Sequence, residues 1–273
     1  MTTRRDPSPV ENDTVQPFLA ACARQATAVT PVWLMRQAGR FLPEYRAIRA
    51  RLGFLELCKT PEAAAEVTVL PVERLGVDAA ILFADILLIV EPLGVGLEFA
   101  KGEGPVIHRP IRTPQDVDAL SPIDVDNAVP FVFETVRRVT RALAGRLPLI
   151  GFAGAPFTIA SYLVEGGPSR DYLHAKRLMY EAPDAWRRLM EILVDATARY
   201  LNGQIAAGAD AVQLFDSWVG VLGPDDYRAF VLPHVRALIA ALTPGVPVIH
   251  FGTGTAALLP LMRQAGGDVI GLD

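Results

Sequence analysis

The sequence predicts an α/β fold built on parallel strands. Short apolar runs alternate with longer stretches of helical periodicity along most of the 273 residues. Several of those runs are apolar on both faces, as strands buried under helices are. No shift in composition marks off a second regime, which points to one α/β domain. A barrel and a doubly wound sheet share this alternation, so it does not choose between them.

Residues 1–15 are polar, carry both charge signs and lack an apolar core of their own, so they read as a disordered lead-in with no secretory signal. Strand candidates follow at 32–35, 79–83, 147–152, 211–215, 246–251 and 269–272. Helical stretches lie at 61–75, 127–144, 183–207, 224–242 and 255–265. Thr60 before Pro61, Pro183 before Asp184, and Pro224 with Asp225 are helix-start signals. Residues 91–126 break the rhythm with a β-rich excursion, GVGLEFAKGEGPVIHRPI, that runs into a polar, turn-rich stretch. An insertion after the C-terminal end of a strand is where barrel enzymes place specificity elements.

Composition removes several classes of function. Hydrophobic residues make up 51% and charged residues 21%, values of a soluble globular protein. No apolar run reaches the ~18 residues that span a bilayer, so no membrane partner is expected. A net charge of −4 and the absence of a basic run argue against nucleic acid. Cys22 and Cys58 have no CxxC spacing, which argues against a zinc ribbon or a disulfide framework and fits a reducing cytoplasm. All but three of the 26 basic residues are arginine, so a single arginine carries little weight.

Polar residues concentrate just after strand candidates, where parallel α/β proteins bind ligands. Arg36, Gln37 and Arg40 follow the first, on a loop broken by Gly39 and Pro43. Two guanidinium forks near a strand end match a polycarboxylate. Asp85 follows the second candidate inside an apolar run, either as a functional carboxylate or as a cap for the next segment. GFAGAPFT (151–158) follows the third, with glycines that allow close backbone approach to a ligand, and leads to Ser161 and Tyr162; no GK[ST] follows, so it is not a P-loop. Asp216, Ser217 and Trp218 follow the fourth.

The run PVWLMRQAGRFLPEY (31–45) resembles the signature of the uroporphyrinogen decarboxylase family, as does GFAGAPFT continuing to Tyr162 and Glu165-Gly-Gly. FADIL (83–87) and QLFDS (213–217) match in the expected order, and the resemblance runs from about Phe18 to Asp273. It implies a (β/α)₈ TIM barrel acting as a homodimer, with uroporphyrinogen as substrate and no cofactor and no metal. It also implies that Arg36 and Arg40 hold substrate carboxylates with Gln37 beside them. Asp85 would accept from the pyrrole N–H groups, while Tyr162 and Ser217 hydrogen-bond side-chain carboxylates. Asp85 and Arg36 are the candidate catalytic residues. Arg36, with a pKa above about 12, can donate a proton only with unusual tuning or through a relayed water.

The resemblance further implies about six of eight βα units, with residues 16–273 as a single barrel domain. The family's C-terminal histidine, in an Asn-Leu-Gly-His context, and its Gly-Asn-Leu-Asp motif have no counterpart before Asp273. On that count the 273-residue chain alone would be aggregation-prone or partly folded and would lack decarboxylase activity. His250 reads as a strand-end histidine hydrogen-bonded locally; His108, His174 and His234 read as surface or packing residues. Two rivals stand beside the decarboxylase. One is an inactive tetrapyrrole-binding form. The other is a zinc-dependent corrinoid methyltransferase of the same superfamily, which needs a Cys/His ligand set at strand ends.

Overall fold

Seven strands appear in the computed structural model, which describes residues 16–100 and 104–273; the expected lead-in over 1–15 lies outside the described residues. In chain order they are β1 (Ala80–Ile81), β2 (Leu97–Ala100), β3 (Gly104–Ile107), β4 (Leu149–Gly154), β5 (Ala211–Asp216), β6 (Val248–Gly252) and β7 (Val269–Gly271). Five of them form a parallel sheet in the order β1-β4-β5-β6-β7. Each step moves one place in the same direction, and the order never reverses. A doubly wound sheet has a reversal, so the sequential order is that of a βα-barrel wall. The β2–β3 hairpin is antiparallel and stands apart from the sheet, inside the predicted excursion.

The proline-marked helices form where expected. Pro61–Leu75 opens on its proline and closes on Gly76, whose φ of +64° suits a residue without Cβ. Pro183–Ala207 does the same, ending at Gly208. Two predicted helices are split. Pro130 interrupts 127–144 and leaves Val125–Ala128 and Pro130–Leu143, because a proline cannot donate into the preceding turn. Pro233 has the same effect in 224–242, which becomes Pro224–Phe230 and Leu232–Ala240 with non-helical Val231 between them. The stretch 255–265 is helical only from Leu259 to Ala265.

The first strand candidate is the main correction. Residues 32–35 lie beside β1 but form no ladder. One backbone bond joins them, from Asp78 N–H to Val32 C=O at 2.8 Å. Side chains take the other groups: Val32 N–H donates to Asp78 Oδ2 at 2.6 Å, and Leu34 N–H to Gln37 Oε1 at 3.3 Å. Gln37 Nε2 closes the link by donating to Ala79 C=O at 3.2 Å. β1 is also shorter than predicted, because Gln204 takes the Phe152 N–H and C=O that would pair with it next, while the Phe83 N–H on its other side donates to Thr68 Oγ1 at 2.9 Å.

Gly151 and Gly154 face the protein's own side chains, not a ligand. A Cβ on Gly151 would sit 2.5 Å from Gln204 Oε1, and one on Gly154 would sit 2.4 Å from Ile159 Cδ1. Gln204 uses that room to pair with both the N–H and the C=O of Phe152, each at 2.9 Å. Behind the sheet, Trp186 and Tyr200 on Pro183–Ala207 and Phe157 on Pro156–Glu165 are fully buried. Each such side chain contributes roughly 1.5–3 kcal/mol through burial. This packing makes the sheet a firm platform for the loops at its C-terminal edge.

Candidate active site

Those loops enclose a cavity of about 1110 Å³. Its floor is aromatic. Phe152, Phe215 and Phe251 stand near the ends of β4, β5 and β6, and Phe215 meets its two neighbours edge-on at 5.3 and 5.8 Å between ring centroids. Phe99 and Pro105 of the β2–β3 hairpin line another side, with Phe99 against Phe54 at 4.7 Å. The excursion after β1 therefore does contribute to the cavity.

Asp85 is the one carboxylate among the lining residues. It stands just beyond β1 on a backbone held by the Phe83–Thr68 bond. Its Oδ1 accepts the Leu87 N–H at 2.8 Å, at the entrance to the 3₁₀ segment Leu88–Leu93. The two roles the sequence left open, cap and cavity carboxylate, thus belong to one side chain. Burial pushes its carboxyl up to about 6, and the Leu87 hydrogen bond acts in the opposite sense.

Arg36 and Arg40 line the same cavity from the turns that precede helix Pro43–Arg49. Both are exposed, and neither is salt-bridged to a carboxylate among the described residues. A surface-rim pair of guanidinium groups with one half-buried carboxylate gives the cavity an excess of positive charge. That excess, with an apolar interior, suits a large apolar ligand carrying several carboxylates.

Tyr162 and Ser217 complete the predicted set on the opposite wall. Tyr162 is on Pro156–Glu165, where burial raises its phenol above the ordinary value. Ser217 is the first residue after β5, and its carbonyl accepts a hydrogen bond from Thr253 Oγ1. Gln37, predicted beside the arginines, is not among the lining residues. It is buried, and its amide serves Leu34 and Ala79 as described above.

Trp218, named in the sequence after the fourth strand candidate but given no role, lines the cavity; its indole packs on Tyr162 and Tyr172, each at 5.8 Å between centroids. Sequence reasoning missed the three floor phenylalanines, whose signal was an aromatic one or two residues before a strand end. His250 lies on a strand and outside the cavity lining. It is fully buried within β6, and burial lowers it to about 4, with the backbone of Met262 and Gly266 acting in the opposite sense. It faces away from the cavity, toward Met262 and Gly266.

The cysteines do not offer a thiolate. Both are buried, and burial pushes Cys58 up to about 12, with nearby Asp85 adding to the rise. Among the described residues, no group of three or more His, Cys, Asp or Glu side chains is placed to hold a metal ion. No helix among them is long and apolar enough to cross a membrane.

A family model described as uroporphyrinogen decarboxylase (URO-D) matches residues 13–273. A uroporphyrinogen decarboxylase of Carboxydothermus hydrogenoformans is 57% identical over 263 residues, covering 96% of this chain and 74% of that protein. One of Sorangium cellulosum is 58% identical over 257 residues, covering 94% of this chain and 73% of its own length. Among solved structures, a methyltransferase from Methanosarcina mazei superposes with a TM-score of 0.77 at 20% identity, over 93% of this chain and 74% of that one. At that identity the likeness extends to the fold alone. The match of motif and fold, with similarity along nearly the whole of this chain, places it in the uroporphyrinogen decarboxylase family.

Proposed function

We propose that this chain converts uroporphyrinogen III to coproporphyrinogen III by removing the four acetate carboxyls as CO2, without a cofactor. The observation that carries the reading is the cavity of about 1110 Å³, with Asp85 inside it and Arg36 and Arg40 at its mouth. Its volume exceeds the usual ~300–1,000 Å³ of a small-molecule pocket, as a tetrapyrrole requires.

A porphyrinogen is flexible and can turn its four pyrrole N–H groups to one face. The ionised Asp85 carboxylate has about four lone-pair sites, one of them taken by the Leu87 N–H, and offers them the rest. Protonation of a pyrrole ring carbon creates a cation that accepts the electrons of the breaking acetate C–C bond, releasing CO2. The resulting methylene carbon takes a proton and the ring carbon gives one up, so each CO2 lost consumes one proton net. Asp85 stabilises the cation electrostatically within apolar walls. Arg36 and Arg40 hold peripheral carboxylates, and Arg36 passes the proton through a relayed water. Tyr162 and Ser217 bind carboxylates on the opposite side. Gln37 acts here through the arginine loop and not by contact.

The active form belongs to this proposal as a cytoplasmic homodimer, with residues 16–273 as one barrel domain; sedimentation velocity tests the dimer. The main test is anaerobic incubation with uroporphyrinogen III in the presence of a chelator, followed by chromatography of the oxidised products. Coproporphyrin is expected. Binding without loss of carboxyls would favour the non-catalytic tetrapyrrole-binding reading instead.

A further inference from the structure

Ser217 and Trp218 form part of the cavity wall, and the geometry identifies what holds them there. The Thr158 hydroxyl, fully buried in the first turn of Pro156–Glu165, donates to Asp216 Oδ1 at 2.9 Å. Thr158 Oγ1 also accepts the Trp218 N–H at 3.3 Å. One atom therefore spans the exit of β5 on both sides of Ser217. We infer that Thr158 is the positioning residue for the substrate-facing segment 217–218, an inference that rests on the decarboxylase reading above.

A satisfied core threonine would behave differently. The helical hydroxyls of Thr68, Thr135 and Ser161 each return to the carbonyl four residues earlier, the ordinary local solution. Thr68 also accepts the Phe83 N–H, but Thr158 alone of these four donates outside its own helix, to a carboxylate, and accepts the Trp218 N–H as well. Its acceptor is an unusual one to bury: Asp216 is inaccessible to solvent, and its second oxygen has no hydrogen-bond partner. A buried carboxylate is expensive to keep unless its position matters. Burial pushes Asp216 up to about 7, with the Thr158 bonds opposing the rise.

The loop is gripped from its other side as well. Thr253 Oγ1 donates to the Ser217 carbonyl, and a Cβ on Gly220 would lie 2.2 Å from the Thr253 carbonyl oxygen. Between these grips, the Trp218 indole rests on Tyr162 and Tyr172. Slackening of the segment would displace Ser217, the indole and the Tyr162 face together, while leaving Asp85 on its own strand. The loss should therefore fall on binding shared by ground and transition states, which appears in KM and spares kcat.

The test compares Thr158→Val, which keeps the shape and removes both bonds, with Thr158→Ser, which keeps the hydroxyl. In Thr158→Val, KM for uroporphyrinogen should rise about tenfold with kcat within about threefold of wild type. Thr158→Ser should restore KM to within about threefold. A readout apart from turnover is the near-ultraviolet circular dichroism of Trp218, isolated by subtracting the Trp218→Phe spectrum; it should change in Thr158→Val and persist in Thr158→Ser. Should Thr158→Val fail to fold, Gly220→Ala moves the same loop from outside and should show the same selective rise in KM. An unchanged KM and Trp218 band in Thr158→Val overturns the inference, as does equal damage in Thr158→Ser, or a wild-type KM in Gly220→Ala. If the wild-type chain melts cooperatively and still releases no CO2, the decarboxylase reading fails, and the Trp218 band still decides whether Thr158 sets the loop.

Discussion

Asp85 and Leu87 are joined by a hydrogen bond of 2.8 Å from the Leu87 N–H to the Asp85 Oδ1, so a cavity carboxylate doubles as the cap of the segment that follows it. The cap holds one oxygen in place and leaves the other free for a ligand. It also makes the site's charge separable from its shape, because an amide oxygen can take the same N–H.

Asp85→Asn should therefore fold, bind substrate through the arginines and lose most turnover. Its stability should move the other way. Burial raises Asp85 from 3.8 to about 6 in the folded protein, so its ionisation opposes folding. The wild type keeps its full relative stability below the lower value and loses it as pH rises through the upper one. The Asn variant escapes that loss, and should melt higher above pH 6 by the equivalent of ~1–3 kcal/mol, with the difference vanishing below pH 4. Decarboxylation by the wild type should fall on the acid side of about pH 6 as the carboxylate is neutralised. Melting curves across pH 3.5–8 and rates across the same range check both, and a full-rate Asn variant rejects the assignment.

Lysine at Arg36 or Arg40 keeps the charge and loses the planar fork. Each change should weaken substrate binding by ~1–3 kcal/mol, the scale of a charged hydrogen bond. Both guanidinium groups are exposed, so the fold should be untouched and the melting temperature unchanged. An additional large drop in kcat at Arg36 alone would place it near the proton transfer. If both variants bind and turn over like wild type, the pair is solvated surface charge.

Gln37 separates support from contact. Gln37→Met fills similar space and removes the bonds to Leu34 and Ala79. Leaving the buried Ala79 carbonyl without that donor should cost about 1–3 kcal/mol. In a chain of this size that is a fall of several degrees in melting temperature. KM should rise with it, because Arg36 and Arg40 flank the loosened turn. A variant that melts like wild type and binds poorly would instead make Gln37 a substrate contact.

Gly151→Ala should destabilise without touching the chemistry. Its methyl would meet Gln204 Oε1 at 2.5 Å and displace the carboxamide that pairs with both backbone groups of Phe152. Overpacking of this kind costs typically ~1–3 kcal/mol. Thermal melts should show the loss, while KM and kcat measured well below the transition stay near wild type. A large change in KM at unchanged stability would return Gly151 to a role in ligand approach.

The helix starts at Pro61 and Pro183 were readable in the chain because a fixed φ and a missing N–H act within a few residues. The buried strands β5 and β6 were readable for a similar reason: a run apolar on both faces has few places to go. Arg36, Arg40, Asp85, Tyr162 and Ser217 were found through motifs, and the fold brings all five to one cavity. Residues far apart in sequence decided the rest. Asp78 and Gln37 took over the hydrogen bonds that residues 32–35 would have used in a ladder, and Gln204 took the Phe152 groups that would have prolonged β1. Gln204 and Ile159 filled the space beside Gly151 and Gly154, so those glycines answer to packing. Strand order, which separates a barrel wall from a doubly wound sheet, depends on which strands exchange hydrogen bonds across 30 to 70 residues of intervening chain. A local pattern of apolar and polar residues encodes a strand and its buried faces. It does not encode the neighbour on the other side of the ladder, which is settled only when the whole sheet packs.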